Sequence, residues 1–593
     1  MTAYHAPLAD MRFVLNHVIG LETLAALPEC AGADPELVEA VLEEAGRLAA
    51  GEMAPLNRLG DCQGAQLQAD GTVRTPPGFA AAWRLFVAGG WNGLPCAPEY
   101  GGQGLPWLVG LAVQEIWQAA NMAFALCPML NQGAVELLEA HADPALKARY
   151  LPKMVSGVWT GTMNLTEPAA GSDLAAIRSR ARPEGEHYRI TGQKIFITYG
   201  EHDLAENIIH LVLARLPDAP AGTRGLSLFL VPKFLPDAQG NPGVRNDLKA
   251  VSLERKLGIH ASPTAVMSFG DQGGAIGWLV GAENRGLEGM FTMMNNARLS
   301  VGLQGVAIAE RAWQQARAYA RERIQGRAVG AAMDGSGPIL HHPDVRRMLM
   351  TMKALTEAGR ALVARAAWAI DVGRRHPDRQ TAAAARASLD LLTPVVKGWC
   401  TDMGCEVASL GVQVHGGMGF IEETGAAQHY RDARIAPIYE GTNGIQAADL
   451  VFRKLARDGG AAARAFLAEM MAESEEPQAL PALAAALKES CARLERATGV
   501  MVARTATAPA AAAATAFPYL HLFGYCAGGM MLARSARIAA ALRAAGRGDP
   551  DWLEAKIITA RFYLSQILPR TAGLLPQVTA DPEAVLALAP EQF

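Results

Sequence analysis

Hydrophobic patterning divides this 593-residue chain into long helical stretches around one block of strands. From Pro35, apolar residues recur every three to four positions, as in PELVEAVLEEAGRLAAGEMAPL, and this spacing predicts amphipathic helices. After Trp159 the segments YRITGQKIFITYG, ENIIHLVLARL and GLSLFLVPKF are short, rich in Ile, Val, Leu and Phe, and bounded by turn residues, which predicts antiparallel strands. The helical period returns at Gly286. Helices and strands that are segregated along the chain predict an α+β fold, here mostly α.

The boundaries between these textures predict a series of segments. They are an N-terminal appendage at 1–34, a helical domain at 35–160, a central antiparallel β domain at 161–280, a helical domain at 281–460, a linker at 461–481 and an extra helical domain at 482–593. The linker is predicted from the acidic, Pro-bearing stretch AESEEPQALP, and the last domain from its Ala-rich helical pattern.

Charge and cysteine content exclude several classes of function. The net charge of −4 provides no basic field for a polyanion, so a nucleic-acid partner is not expected. The eight cysteines include no C-x-x-C pair and the histidines are dispersed, so neither a disulfide framework nor a metal site is predicted, and a reducing compartment fits. The N-terminus does not read as a signal peptide and the C-terminal APEQF is not a retention signal, so we expect a cytoplasmic protein.

A stretch from Thr505 to Ala533 carries no Asp, Glu, Lys or Arg and is long enough to span a bilayer. Pro509, Pro518 and His521 make it a poor span. A buried helix with a loop is therefore the favoured interpretation, membrane contact is the alternative, and no transmembrane segment is expected.

Two segments at the start of the β domain have residue types that suit a flat polar ligand. In MNLTEPAAGSD, which begins at Met163, a Gly-Ser turn can present backbone N–H groups, and Thr166 and Ser172 add hydroxyls; an ordinary turn is the alternative. In KIFITYG, strand alternation places Phe196 and Thr198 on one face, where they can hold a heteroaromatic cofactor. A half-buried strand with its Phe in the core is the alternative there.

Two further segments carry arginine. Arg298 is predicted to open a long helix after Asn295 and Asn296, and an asparagine helix cap followed by a surface arginine is the alternative to a functional role. In ARERIQGR, Arg323 and Gln325 can contact a diphosphate, because a guanidinium binds phosphate in a bidentate manner. A solvated helix end is the alternative for this segment.

The last two segments combine glycines with a single acid. QVHGGMGF, which begins at Gln413, allows close backbone approach, but no G-x-G-x-x-G fingerprint or βαβ pattern is present and a Rossmann site is not expected. In RIAPIYEGTNGIQ, Glu440 lies between apolar Ile438–Tyr439 and a Gly-rich turn. A carboxylate in apolar surroundings has a raised pKa and can act as a base near neutrality, whereas a lone glutamate is otherwise a surface acid that caps a helix.

Taken together and in this order, the segments LTEPAAGSD, KIFIT, the Arg-led helix, ERIQGR, QVHGGMGF and IYEGTNGIQ resemble the motifs of the acyl-CoA dehydrogenase family, FAD enzymes of fatty-acid and branched-acid oxidation. The resemblance covers about residues 35–455. It implies a helical N-terminal domain, a central β domain and a helical C-terminal domain, with FAD between the last two. APLADMRFVL near the start and the extra block after 480 resemble a long bacterial subgroup that includes 3-methylmercaptopropionyl-CoA dehydrogenases and some medium- to long-chain enzymes.

The resemblance implies a role for each matching residue. Glu440 is implied as the catalytic base. Flavin contacts are implied for Met163, Leu165, Thr166, Gly171, Ser172, Phe196, Thr198, Arg323, Gln325, Gln413, Gly416, Gly417, Thr442 and Asn443. Substrate contacts are implied for Ser172, Asn295, Arg298, Tyr439 and Gly441, and no metal is implied. Arg323 and the Gln413 segment are expected to reach a neighbouring subunit's cofactor, which implies a homodimer.

The implied reaction is the α,β-desaturation of a saturated acyl-CoA. Glu440 takes the α-proton, the β-hydride passes to the flavin, and a trans-2-enoyl-CoA results. Some relatives carry the base immediately before the helix arginine, but Ala297 occupies that position here. Met163 and Gly444 depart from residues found in several relatives, which affects the flavin contacts.

The resemblance implies an electron-transferring flavoprotein as the electron acceptor. An acyl-CoA oxidase that reduces oxygen to peroxide is the nearest alternative, and an inactive scaffold on the same fold is an alternative of another class. The resemblance implies 3-methylmercaptopropionyl-CoA or a medium- to long-chain acyl-CoA as the substrate, and the sequence leaves the acyl chain length open.

Overall fold

Along the chain, helices come before and after the strands of one large sheet. The computed structural model describes residues 3–30, 33–330, 335–476 and 480–593. The chain divides into two compact units, one of residues 1–43, 106–119 and 298–593, and the other of residues 44–105 and 120–297. The predicted fold class, α+β and mostly α with an extra C-terminal helical domain, is confirmed.

Polar side chains begin several of the helices that precede the large sheet. Asn121 Oδ1 accepts from the Phe124 N–H at 3.1 Å, and Asp143 Oδ1 accepts from the Leu146 N–H at 2.9 Å. These helices are α1 (Leu8–Phe13), α2 (Leu21–Ala25), α3 (Pro35–Leu48), α4 (Ala54–Gln63), α5 (Phe79–Ala88), α6 (Trp107–Ala120), α7 (Met122–His141) and α8 (Pro144–Ser156).

The strands follow, apart from a short hairpin between α4 and α5. They are β1 (Gln66–Leu67), β2 (Val73–Arg74), β3 (Trp159–Asn164), β4 (Arg180–Glu184), β5 (His187–Thr198), β6 (Asn207–Arg215), β7 (Leu226–Pro232), β8 (Phe234–Pro236), β9 (Pro242–Arg245), β10 (Leu248–Leu253), β11 (Thr264–Phe269) and β12 (Ala275–Val280). The large sheet has the order β10-β11-β5-β12-β7-β6-β3, and β4 pairs with β5 and β6.

The sequence predicts an antiparallel sheet, but the large sheet also contains parallel pairs. β3 pairs parallel to β6, with Trp159 opposite Asn207, and β4 and β5 lie between these two strands in the chain. The two most apolar strands, β6 and β7, are buried almost along their whole length and pack with the core of the β domain, including Ile190, Phe229 and Met267.

A second set of helices follows the sheet. They are α9 (Gly286–Glu322), α10 (Pro343–Arg375), α11 (Arg379–His415), α12 (Ala426–Ala433), α13 (Asn443–Asp449), α14 (Ala456–Asp458), α15 (Ala461–Glu475), α16 (Pro481–Thr507), α17 (Pro509–Ala544), α18 (Pro550–Phe562), α19 (Arg570–Thr579) and α20 (Glu583–Leu586). α10 and α11 pack against each other, and α17 packs against both. The extra C-terminal block therefore packs back onto its own chain.

The predicted N-terminal appendage is packed into the unit that contains residues 298–593. Asp10 of α1 forms ion pairs with Arg360 of α10 and with Lys556 of α18, and Met11 and Val14 are buried. The apolar helical spacing of this segment was visible in the sequence. The ion pairs that attach it join residues far apart along the chain, so the sequence alone did not show them.

The predicted linker at 461–481 is largely helical. α15 buries Ala463, Phe466, Leu467 and Met470, which have the i, i+3, i+4, i+7 spacing of a helix face. The acidic stretch used to predict a linker begins only at the end of this helix, and residues 477–479 lie outside the described residues.

The uncharged stretch Thr505–Ala533 contains the end of α16 and most of α17, with Ala508 as the single non-helical residue between them. Pro509 occupies the first turn of α17, where a missing N–H is tolerated. Tyr519, Leu520 and Phe523 are fully buried against the rest of the protein. In the described part of the chain, no helix combines the length and the apolar character that a bilayer crossing requires.

α17 and α11 approach each other closely at Gly524. A Cβ on Gly524 would lie 2.2 Å from Cγ of Trp399, so Gly524→Ala is expected to destabilise the protein by about 1–3 kcal/mol through overpacking. Gly499→Ala in α16 is the matched control, because its added Cβ would meet nothing within 4 Å. Helix propensity predicts that the control gains up to about 1 kcal/mol. Thermal unfolding of both variants tests this, and equal midpoints would contradict the close approach.

Candidate active site

Glu440 lies in the turn between α12 and α13, in a backbone conformation that glutamate rarely adopts. Its φ is 56° and that of Gly441 is 82°. A non-glycine residue in the left-handed region costs on the order of 1–3 kcal/mol and persists only where surrounding contacts hold it. The turn therefore presents the Glu440 carboxylate in a geometry that other parts of the protein must support.

Hydrogen bonds from α11 and α13 hold this turn. Lys397 Nζ donates to the Gly441 carbonyl at 2.7 Å and to Asn443 Oδ1 at 2.9 Å. Gln446 Nε2 donates to the Glu440 carbonyl at 3.0 Å, and the Asn443 N–H donates to the Pro437 carbonyl at 3.0 Å. The backbone on both sides of the Glu440 side chain is thus anchored within one unit.

The charges around Glu440 have opposing effects on its carboxyl group. Burial raises the pKa of Glu440 to about 7, and the positive charges of Arg298 and Lys397 oppose part of that rise. Burial likewise lowers the pKa of Lys397 to about 7, although the negative charges of Glu440 and Asp402 favour its protonated form. A carboxyl group that titrates near neutrality has the proton affinity expected of a general base.

The sequence predicts Arg298 at the start of a helix. In the structure it lies well inside α9, which begins at Gly286. The preceding MFTMMNN contains no residue that ends a helix, so the asparagines continue it instead of capping it. Arg298 is 5% exposed and its Nη1 lies 3.1 Å from Asp449 Oδ2. Within the described part of the chain, its buried Nε makes no hydrogen bond.

Several other predicted substrate and flavin residues make hydrogen bonds of their own. The Tyr439 hydroxyl donates to Gln304 Oε1, and Thr442 caps α13 by accepting from the Ile445 N–H at 3.3 Å. Asn443 is buried, and its side-chain amide is bonded to α11. Of the two asparagines before Arg298, Asn296 Nδ2 donates to Glu136 Oε2 at 2.7 Å.

A polar loop follows β3 in the other unit. Met163 and Thr166 are half-buried and Leu165 is buried, while Gly171 and Ser172 are exposed. The loop is held by Glu167, which accepts from Lys194 Nζ at 2.8 Å and from Ser179 Oγ at 2.6 Å. Lys194 also donates to the Leu165 carbonyl at 3.0 Å. Neither charged residue was selected from the sequence, where each looks like an ordinary surface residue.

The predicted alternation that placed Phe196 and Thr198 on one face of β5 is interrupted. Ile197 pairs with Ala265 and Lys194 pairs with Met267, so β5 has one extra residue at this point, a β-bulge. Phe196 lies in the bulge with a φ of 60° and is 58% exposed, while Thr198 is half-buried. The bulge turns the Phe196 ring out of the strand pattern and leaves it available to pack on a ligand.

The remaining predicted residues lie at the ends of α9 and α11. Arg323, Gln325 and Gln413 are exposed, as are Gly416 and Gly417, and a Cβ added to either glycine would meet nothing within 4 Å. The two helix ends are adjacent, since the rings of Tyr319 and His415 stack with centroids 4.4 Å apart.

Lys397 is a buried residue beside the Glu440 turn that the sequence did not single out. Its only signal was a lone cation in the apolar run LLTPVVKGWC, and such a cation is commonly paired when it is buried. Asp449, which pairs with Arg298, gave no signal at all. In the residues described here, no group of three or more His, Cys, Asp and Glu side chains is arranged to hold a metal ion.

Comparisons with known proteins give matches to one family in successive segments along nearly the whole chain. Family models match residues 36–158 (acyl-CoA dehydrogenase, N-terminal domain), 162–272 (middle domain), 284–455 (C-terminal domain) and 464–589 (acetyl-CoA dehydrogenase C-terminal like). The chain is 48% identical to 3-methylmercaptopropionyl-CoA dehydrogenase of Ruegeria pomeroyi, over 98% of this chain and 99% of that protein.

Two further similarities agree with this. A broad-specificity linear acyl-CoA dehydrogenase of Mycobacterium tuberculosis is 34% identical, with 96% of each chain covered. An acyl-CoA dehydrogenase of Bacillus anthracis, solved in complex with FAD, shares the fold with a TM-score of 0.74 at 20% identity, over 92% of this chain and 88% of that chain.

Proposed function

Because this chain belongs to the acyl-CoA dehydrogenase family, whose members are FAD-dependent oxidoreductases, we propose that it converts a saturated acyl-CoA to the trans-2-enoyl-CoA with Glu440 as the base. The observation that carries this proposal is the Glu440 turn, in which a carboxyl group with a pKa of about 7 is held in a left-handed backbone conformation. Ala297, the other position at which relatives carry a base, has no titratable side chain.

The residues predicted to hold FAD fit such a group. Gly171, Gly416 and Gly417 leave their backbone open to a ligand, and the bulge in β5 presents the ring of Phe196. When bound, FAD supplies the acceptor for the β-hydride. The residues that would hold it are Met163, Leu165, Thr166, Gly171, Ser172, Phe196, Thr198, Arg323, Gln325, Gln413, Gly416, Gly417, Thr442 and Asn443.

The protein's own part in the reaction concerns the α-proton and the thioester. Glu440, as the carboxylate, accepts the α-proton, and the electron pair of that C–H bond becomes the second bond of the enoyl product. Enolate charge develops on the thioester oxygen, and we assign the Glu440 N–H as a donor to it, since one such donor is typically worth about 3–4 kcal/mol. Ser172, Asn295, Arg298, Tyr439 and Gly441 are the proposed substrate contacts.

We further propose 3-methylmercaptopropionyl-CoA as the substrate. The support is the 48% identity over nearly the whole chain to a dehydrogenase of that name. Medium- to long-chain acyl-CoA is the alternative, supported by the similarity to a broad-specificity linear enzyme. Values of kcat/KM for a panel of acyl-CoA thioesters with an artificial electron acceptor decide between them, and a preference for long linear chains would overturn the first choice.

We infer that an electron-transferring flavoprotein accepts the electrons. The alternative is an oxidase, and peroxide formed in proportion to enoyl-CoA would establish it. A purified protein that binds neither FAD nor acyl-CoA would favour a scaffold instead.

The proposed assembly is a homodimer. Met418, Phe420 and Ile421 are exposed apolar side chains directly after the Gly416–Gly417 segment that is expected to reach a neighbouring cofactor. A protein that light scattering shows to be a stable monomer, and that carries its full flavin content, would contradict the homodimer. A bacterial cytoplasmic location is also proposed, and cell fractionation tests it.

The pH dependence of kcat/KM should identify the base. Glu440 accepts a proton only when deprotonated, and its pKa is raised to about 7, so activity should fall as the pH drops through about 7 and reach a plateau above it. An ordinary glutamate, with a pKa of about 4.3, would keep activity constant down to about pH 5. Because Glu440 and Lys397 interact, the measured midpoint belongs to the pair. A profile that is flat between pH 5.5 and 8 would contradict a base with this environment.

A further inference from the structure

Lys397 is a buried cation whose ammonium group is directed at the Glu440 turn. The residue lies in the middle of α11, its side chain is 0% exposed, and its Nζ donates to the Gly441 carbonyl at 2.7 Å and to Asn443 Oδ1 at 2.9 Å. An ammonium group has three protons to donate, and these two bonds direct it at residues on the C-terminal side of Glu440.

The partners of Lys397 are themselves fixed. Asn443 Nδ2 donates to the Gly398 carbonyl at 3.0 Å and to Thr401 Oγ1 at 3.0 Å. Thr401 Oγ1 also donates to the Lys397 carbonyl at 2.7 Å. One turn of α11 and the first residue of α13 therefore form a closed hydrogen-bond network with Lys397 at its centre, which we call the Lys397 clamp.

α11 is tightly packed beside Lys397. A Cβ on Gly398 would lie 2.8 Å from Leu520, and a Cβ on Gly524 would lie 2.2 Å from Trp399, so α17 is packed directly against this part of α11. The extra C-terminal block thus supports the helix that carries the clamp.

We propose that Lys397 is a positioning residue of the desaturation reaction, which fixes the Glu440–Gly441 backbone through Gly441 and Asn443 so that the carboxylate faces the acyl α-carbon. This inference rests on the proposed function of Glu440. Glu440 and Gly441 both have a positive φ, a conformation that persists only where surrounding contacts hold it. Loss of the hydrogen bond to the Gly441 carbonyl should therefore let the turn relax and displace the Glu440 carboxylate.

The charge of Lys397 has a second consequence. The charged groups that act on it are Glu440 from the turn, Arg298 from α9 and Asp402 from its own helix, and Arg298 is paired with Asp449 of α13. Removing the Lys397 charge takes away a cation that favours the ionised form of Glu440, so the acid midpoint of the pH profile should move to higher pH.

The test compares Lys397→Met with Lys488→Met, an exposed lysine on α16. For Lys397→Met we expect kcat to fall on the order of 10²-fold, as for a reacting group displaced by about 1 Å, with little change in KM. The midpoint of the pH profile should rise. Lys397→Gln keeps N–H donors without the charge and should recover part of kcat but not the midpoint. Lys488→Met should match the wild type.

A readout independent of turnover is hydrogen exchange in the segment from Tyr439 to Gly444, which should be faster in Lys397→Met and unchanged in Lys488→Met. Asn443→Ala removes the other end of the clamp, and its effect on kcat should not add to that of Lys397→Met. If Lys397→Met fails to fold, Lys397→Gln and Asn443→Ala decide: wild-type kcat in both would overturn the proposal.

The outcomes separate the two proposals. A wild-type enzyme that forms no enoyl-CoA, or a Glu440→Gln variant that remains active, defeats the proposed function. A normal wild type with an inactive Glu440→Gln, but a folded Lys397→Met with unchanged kcat, pH midpoint and exchange, defeats only the positioning role. A lower melting temperature and lower kcat with an unshifted midpoint would show a merely structural residue and would also overturn it.

Discussion

Glu440→Gln is expected to bind FAD and acyl-CoA as the wild type does and to lose dehydrogenation. Glutamine keeps the shape of the side chain, and its amide cannot accept a proton at neutral pH. A positioned general base contributes about 10²–10⁴-fold, so we expect a rate loss of at least that size. Lys397 and Gln446 hold the turn through hydrogen bonds to the backbone carbonyls of Gly441 and Glu440. These bonds do not involve the Glu440 carboxyl group. The variant should therefore fold normally.

The measurement is the rate at which acyl-CoA reduces the enzyme's flavin in a single turnover. Flavin content and acyl-CoA affinity are determined in parallel. Glu186→Gln, an exposed glutamate in the turn between β4 and β5, is the matched control and should be fully active. If Glu440→Gln kept more than a tenth of the wild-type rate, another group would have to be the base.

Arg360→Met is expected to produce the largest loss of stability. Arg360 is 4% exposed and donates to Glu115 at 2.6 and 2.8 Å, to Glu310 at 2.7 Å and to Asp10. Lys556 completes the network by bonding Asp10 and Glu357. Removal of Arg360 leaves buried carboxylates without their shared cation, and breaking a buried ion pair in this way costs about 3–5 kcal/mol.

This network joins α1, α6, α9, α10 and α18, so its loss should loosen the N-terminal segment first. Burial alone would raise the pKa of Asp10, but Lys556 and Arg360 outweigh it and hold the pKa of that carboxyl below its usual range. A lowered carboxyl pKa contributes stability that is present above the unfolded-state pKa and is lost as the pH falls towards the folded one. The wild type should accordingly lose this contribution only in strong acid.

Hydrogen exchange in α1 and α18, together with thermal unfolding, measures the effect of Arg360→Met. A chain of this size need not unfold in one step, so the local exchange rates are the more direct observable. Arg496→Met, an exposed arginine on α16, is the control and should change neither quantity. Wild-type exchange in α1 of the Arg360→Met variant would show that the network does not hold the N-terminal segment.

The location of most elements could be predicted from the sequence because their determinants are local, whereas Glu440 became the candidate base only through the resemblance of six ordered motifs to a known family. The period of apolar residues distinguishes helix from strand within a dozen residues, and IYEGTNGIQ carries its acid, apolar flank and turn together. The differences arise where local signals conflict. The acidic, Pro-bearing stretch after α15 predicts a linker at 461–481, whereas most of that range is helical. Arg298 is predicted to open a helix after two asparagines, whereas α9 is continuous through them.

What only the tertiary structure decided depends on contacts between residues far apart in the chain. The bulge in β5 exists because of its register with β11, and neither strand shows it alone. Lys397 and Gly441 are separated by most of α11 and by α12, and Asp10 meets Lys556 across nearly the whole sequence. Burial gives such groups their altered pKa values and their structural weight, and burial is a property of the packed chain. The sequence by itself determined which side chain is the candidate base, Glu440, whereas folding determined that Lys397 lies within hydrogen-bond distance of the neighbouring Gly441 carbonyl.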